Sequence, residues 1–492
     1  MRKLFLAAAL ALATALAPAS AQVQPASTSN PSATAAETAT TALLRALNGS
    51  EAERVALVKS AFSKRSLNRE DDDARLRWLN KIAADTGGFT IASQSPQGER
   101  MVEAILRSKH GGKFGKLVIF ISKEEPGKIN DLFLLPARDP AKVKGEAWPV
   151  GPLSLSRIGL EIEKRASALA AEDKFSGVVL VAKDGKVIVN RAYGLADQQW
   201  RIPNRTDTAF HLGSIGKMFT ATAIMRLAAE DRLSLDDPLA KWVPEYPSAE
   251  GAPITLRQLL THSAGIGEWD GRAIRRPLTG AEAAATMTTP LQFAPGERFS
   301  YSNAGFVLLG AVIEKATSLP LAEALQQLVF DRVGMKRTGL WPVTSIVPNR
   351  ATGYLHSEDD PLGLAPRYSN EQFLGHGADG SGGEYSTTTD MFAFLSALGE
   401  GRLLGKLTDE MLTPRVNFAG ASRPSKYGYG VDRGSCAGHP MFGHEGGGPN
   451  SGVSSLAYRT VDTRWTIIVL SNYDPPFPGD LAMSICEFVA GR

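Results

Sequence analysis

Cysteine is nearly missing from this chain: 492 residues contain two, Cys436 and Cys486. Two thiols cannot staple a disulfide scaffold or build a multi-cysteine metal centre. In an oxidising compartment one bridge between them is possible; two separately buried thiols fit the sequence equally well, because spacing alone sets neither distance nor orientation. An excess of one charge is missing too. With 54 basic and 51 acidic residues the formal net charge is +3, and the signs are mixed along the chain, so nothing points to nucleic acid or an anionic membrane surface. After the first 21 residues no apolar run is long enough to span a bilayer. The metalloprotease pattern His-Glu-x-x-His and the nucleophile elbow Gly-x-Ser-x-Gly are both absent, which argues against a zincin and an α/β-hydrolase. No metal and no cofactor is implied.

What is present begins with a leader. Arg2 and Lys3 precede a short apolar stretch, 4–16, and Ala19-Ser20-Ala21 forms a small-residue cleavage site before Gln22. Residues 1–21 therefore read as a secretory signal, and a periplasmic or secreted protein is expected, without an integral membrane segment once the signal is removed. Residues 22–41, rich in Ala, Thr, Ser and Pro, read as a flexible linker. From 42 to 136, helical spacing over about 42–66 and 75–84 gives way to short β-rich runs at 89–92, 101–106, 117–121 and 129–134. This pattern predicts a small α+β domain of the cystatin-like kind, with no catalytic constellation. A connector, 137–154, leads to a larger unit, 155–492. Two β-rich runs around Asp184-Gly185 predict a hairpin, and strand-like runs at 452–458 and 466–472 precede a closing helix at 480–489. Strands at both ends with helices between them predict one sheet completed by both termini of this unit.

Three motifs in the larger unit carry chemistry. Ser214-Ile215-Gly216-Lys217 is the single Ser-x-x-Lys in the chain, and it opens an apolar run, 218–227. A serine and a lysine three apart on a helix share a face, so the amine can act as base toward the hydroxyl; an N-cap serine would look the same. Tyr301-Ser302-Asn303 follows a Pro-Gly turn and precedes the apolar run 306–316. A tyrosine oxygen there can relay a proton, and an asparagine amide can hold a substrate carbonyl. Because Tyr368-Ser369-Asn370 repeats the tripeptide, the letters alone do not choose; the rigid corner at 301–303 does. Gly443-His444-Glu445-Gly446-Gly447-Gly448 combines a histidine with glycines that let a substrate approach a strand edge and leave backbone N–H groups for an oxyanion.

In that order, Ser214-x-x-Lys217, Tyr301-x-Asn303 and His444-x-Gly446 resemble the three signatures of the serine β-lactamase and penicillin-binding protein superfamily. They are most similar to the class C-related branch of carboxypeptidases, D-aminopeptidases and β-lactamase-like esterases. Ile254 to Gly265 and Gly382 to Met391 resemble that branch as well. The resemblance implies an α/β (α+β) β-lactamase/transpeptidase-like domain, an antiparallel sheet flanked by helices plus an all-helical lobe, preceded here by the small α+β domain. It implies Ser214 as nucleophile, Lys217 as base, Tyr301 as proton relay, and Asn303, His444, Glu445 and Gly446 as substrate-binding. The oxyanion hole would be the N–H groups of Ser214 and Gly447. His262 matches a structural turn and is given no catalytic role. His444 stands where many relatives carry lysine, which would make the charge of the site depend on pH. Glu445 stands where relatives carry Thr or Ser; if it faces the cleft, its charge would repel a substrate carboxylate, so neutral esters or amides, or substrates with a free amine, are expected over β-lactams. The expected activity is that of an exported esterase, amidase or peptidase on small acyl substrates working through an acyl-enzyme. A D-alanyl-D-alanine carboxypeptidase or β-lactamase is the alternative within this class, and a silent binder of cell-wall fragments or a partner protein the alternative outside it.

Overall fold

A computed structural model describes residues 34–492 apart from 68–69, 97–99, 145, 249–250, 252, 268, 270, 272–277, 343, 358–359, 361, 375–378, 419–424 and 449. The expected leader, 1–21, and the first part of the expected linker lie outside the described residues. The chain divides into two units, whose described parts are 34–149 with His356–Tyr368, and 150–355 with Ser369–Arg492.

In the first unit the helices Ala35–Asn48, Glu51–Ala61 and Asp72–Thr86 precede an antiparallel meander of Phe89–Pro96, Met101–Ser108, Phe114–Ile121 and Ile129–Ala137. Burial alternates along Met101–Ser108, so Val102, Ala104 and Leu106 face a core shared with Leu43, Leu47, Leu79 and Ile82. Two expectations are corrected here. A helix, Ala35–Asn48, starts inside the stretch read as linker. The alanines that disqualify 35–41 as a large core are good helix formers, Thr34 and Glu37 close a capping box, and Ala36, Ala39 and Thr40 are buried. The unit also takes in His356–Tyr368, which had been assigned to the larger one, and Leu362 joins the first unit's core. A single leucine joining a core that is otherwise more than 200 positions earlier in the chain leaves no periodicity to read.

The second unit is built on an antiparallel sheet in the spatial order Val416–Asn417, Lys426–Tyr427, Asp432–Arg433, His439–Gly448, Val453–Thr460, Trp465–Ser471, Gly177–Lys183, Lys186–Tyr193. Trp465–Ser471 pairs with Gly177–Lys183, with Ile468 opposite Leu180, so the two ends of the unit do complete one sheet. Val178, Leu180, Ile468 and Leu470 face a core that contains Met218, Phe219 and Phe394. The alternate residues Val179, Val181, Ile467 and Val469 are buried on the opposite face, where helices Leu155–Ala171 and Phe477–Ala490 pack on the sheet and on each other. Burial on both faces is why these strands read as continuous apolar runs. Cys436, beside this sheet, and Cys486, on the closing helix, form a disulfide with their Cα atoms 6.1 Å apart. Among the described residues no single helix is long and apolar enough to cross a membrane.

Candidate active site

Ser214 sits in a 3-10 turn, Gly213–Gly216, that runs directly into the helix Lys217–Ala229. It is not an N-cap; its side chain caps no backbone N–H of either element. The helix is buried nearly all round, with Phe219 edge-on to Phe330 and Phe394 at 5.1 and 4.8 Å. That packing anchors the turn from below.

Lys217 is fully buried. Its Nζ lies 3.1 Å from Ser214 Oγ, 2.7 Å from Asn303 Oδ1 and 2.6 Å from the Ser381 carbonyl oxygen. Two of these groups can only accept, so they hold the amine by two N–H donations whether or not it is charged. The third contact is with a hydroxyl, which can receive a proton from an ammonium or give one to a neutral amine. The Nζ also stands over the rings of Tyr301 and Phe306, 5.0 and 5.5 Å from their centroids.

Asn303 is the first residue of the helix Asn303–Thr317, and Ser302 caps that helix by accepting from Gly305 N at 3.2 Å. The Ser302 backbone N–H donates in turn to His262 Nδ1 at 3.1 Å. His262, at φ +54° and buried, stacks on Tyr301 with centroids 4.2 Å apart. Burial, the Lys217 charge and nearby His444 hold it well below the usual histidine range. It is therefore neutral, with Nδ1 as acceptor, and fixes the corner that presents Tyr301 and Asn303, in keeping with the structural place the sequence gives it.

The third motif lies on the strand His439–Gly448. The pairing of this strand with Asp432–Arg433 ends at Gly443, so 444–448 forms an open sheet edge alongside the serine turn. The approach is so close that a Cβ at Gly446 would fall 1.9 Å from the Leu212 carbonyl oxygen and 2.8 Å from Ser214 N; only glycine fits. A Cβ at Gly213 would fall 2.3 Å from Gly447 N, so that amide nitrogen lies against the serine turn.

Two expectations about this strand change. His444 is buried, with Nε2 2.9 Å from Tyr427 Oη and Nδ1 bonded to the Glu445 carbonyl. The carbonyl can only accept, so Nδ1 carries the proton and Nε2 accepts from Tyr427, whose hydroxyl is held well above its usual range by burial. Burial, with the Lys217 charge adding to it, pushes His444 down to about 3. It contributes no pH-dependent charge near neutrality, and both ring nitrogens are engaged within the protein. Glu445 is buried as well, on the sheet face it shares with Asp432 and Tyr458. Burial, then Asp432, pushes its carboxyl well above the usual range, which weakens the repulsion of a substrate carboxylate expected of it. Asp432 itself is pushed up to about 7 by burial, against a hydrogen bond from Tyr458 Oη at 3.0 Å.

The sequence reading missed Ser381, Tyr427, Asp432 and Glu384. Ser381 acts through a backbone carbonyl, which no residue type announces. Glu384 falls inside the segment from Gly382 to Met391 that resembles the superfamily, and that was its available signal. Among the described residues no group of His, Cys, Asp and Glu is arranged to hold a metal.

A serine and a buried lysine at the mouth of an apolar helix, beside the open edge of an antiparallel sheet, define a serine acyl-hydrolase site. The chain belongs to the β-lactamase family, whose profile matches residues 162–485, and it is a serine hydrolase of that family. It is 31% identical over 317 residues to esterase EstB of Burkholderia gladioli, an alignment covering 56% of this chain and 80% of the esterase. Among solved structures it is similar to a penicillin-binding protein from Bacillus halodurans, with a TM-score of 0.57 at 27% identity, covering 68% of this chain and 98% of that one. It is also similar to a D-stereospecific amidohydrolase from Streptomyces sp., with a TM-score of 0.54 at 30% identity, covering 64% and 94%. The antiparallel sheet, helices and preceding small domain agree with the expected fold class.

Proposed function

We propose that this protein is an exported serine hydrolase that forms a covalent acyl-enzyme on Ser214 and cleaves small neutral esters or amides. The observation that carries the reading is the buried Lys217 amine 3.1 Å from Ser214 Oγ, held there by Asn303 and the Ser381 carbonyl. In its neutral form this amine has two N–H donors for those acceptors and a lone pair left for the serine proton. As Ser214 Oγ bonds to the acyl carbon, its proton passes to Lys217 Nζ. The carbonyl oxygen becomes an oxyanion facing the N–H groups of Ser214 and Gly447. The bond to the alcohol or amine then breaks, and Tyr301 relays the proton to that leaving group. In the second half water attacks the acyl carbon as its proton passes through Tyr301 to the again-neutral Lys217 amine, and Ser214 leaves with that proton handed on by Lys217. Asn303 Nδ2 orients the substrate carbonyl, and Gly446 lets the substrate lie along the strand.

The preference for neutral substrates rests on His444 rather than Glu445. Where many relatives place a lysine, an uncharged imidazole tied to Tyr427 offers no cation to a penicillin or D-alanyl-D-alanine carboxylate. Export is supported by the leader pattern at 1–21 and by the buried disulfide. The test is mass spectrometry after incubation with a fluorophosphonate, followed by a panel of aryl esters, D-amino-acid amides and a chromogenic cephalosporin. One adduct on Ser214, lost in Ser214→Ala, and esters or amides turned over faster than the cephalosporin are expected. Faster cephalosporin hydrolysis would reverse the substrate assignment, and absence of any adduct would favour a binding protein.

A further inference from the structure

One carboxyl beneath the nucleophile has no part in this scheme. Glu384 is fully buried, and neither of its carboxyl oxygens has a hydrogen-bond partner among the described residues. The backbone explains how it comes to be there. Leu212 N–H donates to the Glu384 carbonyl at 2.7 Å, and Tyr385 and Ser386 pair with His211 and Phe210 in a short antiparallel ribbon. This ties the segment to the residues that lead into Ser214. The side chain then fills the space against Gly216, between the serine and the lysine: a Cβ at 216 would lie 1.8 Å from Glu384 Oε2.

A buried carboxyl that accepts no hydrogen bond is costly to ionise. The groups that act on it are few. Lys217, on the helix that follows the turn, favours the carboxylate; Asp379, whose Oδ1 accepts from Ser381 N and Oγ at 2.7 and 2.6 Å, disfavours it. His211, in edge contact with Tyr385, is held down to about 4 by burial and the Arg350 charge and so is neutral. Burial outweighs Lys217, and the Glu384 carboxyl is pushed up to about 8. Among the contacts of Lys217 described above, three are with neutral oxygens, of Ser214, Asn303 and Ser381. Two acids, Glu384 and Asp432, have ionised forms that would stabilise the lysine ammonium; Glu384 is the one packed against Gly216, between Ser214 and Lys217.

We propose that Glu384 is a positioning residue that sets the pH at which Ser214 becomes reactive: once ionised, its carboxylate is the counter-ion that keeps Lys217 protonated and delays the appearance of the free amine. No bond to substrate is involved. The inference rests on Ser214 and Lys217 acting as nucleophile and base.

The test is the second-order rate of fluorophosphonate labelling at Ser214 in the full chain, followed from pH 5 to 9.5, for wild type, Glu384→Gln and Glu384→Leu. Glutamine keeps the shape without the charge, and leucine suits an apolar pocket should a buried amide unsettle the fold. In both variants the midpoint of the rising limb is expected to move down by about one pH unit or more, as expected for removing an opposite charge near an amine. On that limb labelling would be about tenfold faster at fixed pH, with the high-pH plateau preserved. Folded variants whose midpoint stays at the wild-type value overturn the proposal, since a role in packing alone would not move it. A wild-type protein that is never labelled overturns the Ser214 reading instead.

Discussion

Tyr301-Ser302-Asn303 and Tyr368-Ser369-Asn370 have the same letters and different fates. In the first, Ser302 caps a helix and turns the Asn303 oxygen onto Lys217 at 2.7 Å. In the second, Asn370 is buried where Asn303 is half-buried, and its Nδ2 donates to the Ser451 carbonyl at 2.8 Å and its backbone N–H to Gly353. One asparagine holds a buried amine by its oxygen; the other holds a loop by its nitrogen. The neighbours decide which end of the amide is used: an apolar helix follows Asn303, whereas a single 3-10 turn, Glu371–Phe373, follows Asn370.

The largest effect separating the two should come from shortening each asparagine. Asn303→Ala removes an acceptor from a buried amine and the donor assigned to the substrate carbonyl, so kcat/KM for an aryl ester should fall about 10^2 to 10^3-fold, as for loss of one positioned polar group at an acyl-transfer site. Asn370→Ala leaves the Ser451 carbonyl short of a donor; it should cost about 1–3 kcal/mol of stability by urea unfolding and leave kcat/KM within a few-fold. Equal losses of activity in the two variants would mean that the 301–303 corner has no special part in the chemistry.

The comparison also shows where sequence reading works. Ser214 with Lys217, and the choice of Asn303 over Asn370, were legible because each rests on local signals: a three-residue spacing, a Pro-Gly turn, an apolar helix next in line. Tyr427 on His444, the Ser381 carbonyl on Lys217 and the unpartnered Glu384 were not, because each joins residues far apart in the chain and one of them is backbone. Burial was the other hidden quantity. The histidine at 444, read as a pH-dependent charge, and the glutamate at 445, read as an acid facing the cleft, are both enclosed by the fold, which pushes the first down and the second up, and only the three-dimensional environment could reveal this.

A second difference between the corners is titratable. His262 Nδ1 accepts from Ser302, whereas no histidine bonds Ser369 or Asn370 among the described residues. Because His262 in the fold is held well below its unfolded value, the unfolded chain binds a proton below about pH 6.5 that the folded chain refuses. Stability from this residue is therefore complete above that pH and is lost as pH falls, by about 1.4 kcal/mol per unit. The buried carboxyls Asp432 and Glu384, raised to about 7 and 8, act in the opposite sense, so the histidine must be isolated by substitution. His262→Asn suits the left-handed backbone at 262. Its loss of stability between pH 6.5 and 4.5 should be smaller than that of wild type by about 2–3 kcal/mol, while Asn370→Ala keeps the wild-type dependence. Parallel slopes in all three proteins would show that His262 takes up its proton without unfolding the corner.

The smallest test concerns the middle serine. Ser302 is 6% exposed and accepts from Gly305 N, one of the N–H groups that a helix start leaves without an intrahelical partner. Ser369 is half-exposed on a two-residue strand and caps no helix. Ser302→Ala should thus cost about 1 kcal/mol of stability, and Ser302→Gly only a few tenths as far as the cap alone is concerned. Ser369→Ala should stay within about 0.5 kcal/mol of wild type. The cap also aims Asn303, so Ser302→Ala should lower kcat/KM more than Ser369→Ala does. If urea unfolding and ester kinetics give the same values for both alanine variants, the helix that follows Ser302 holds Asn303 in place without its cap, and packing of 303–317 becomes the cause of the difference between the two tripeptides.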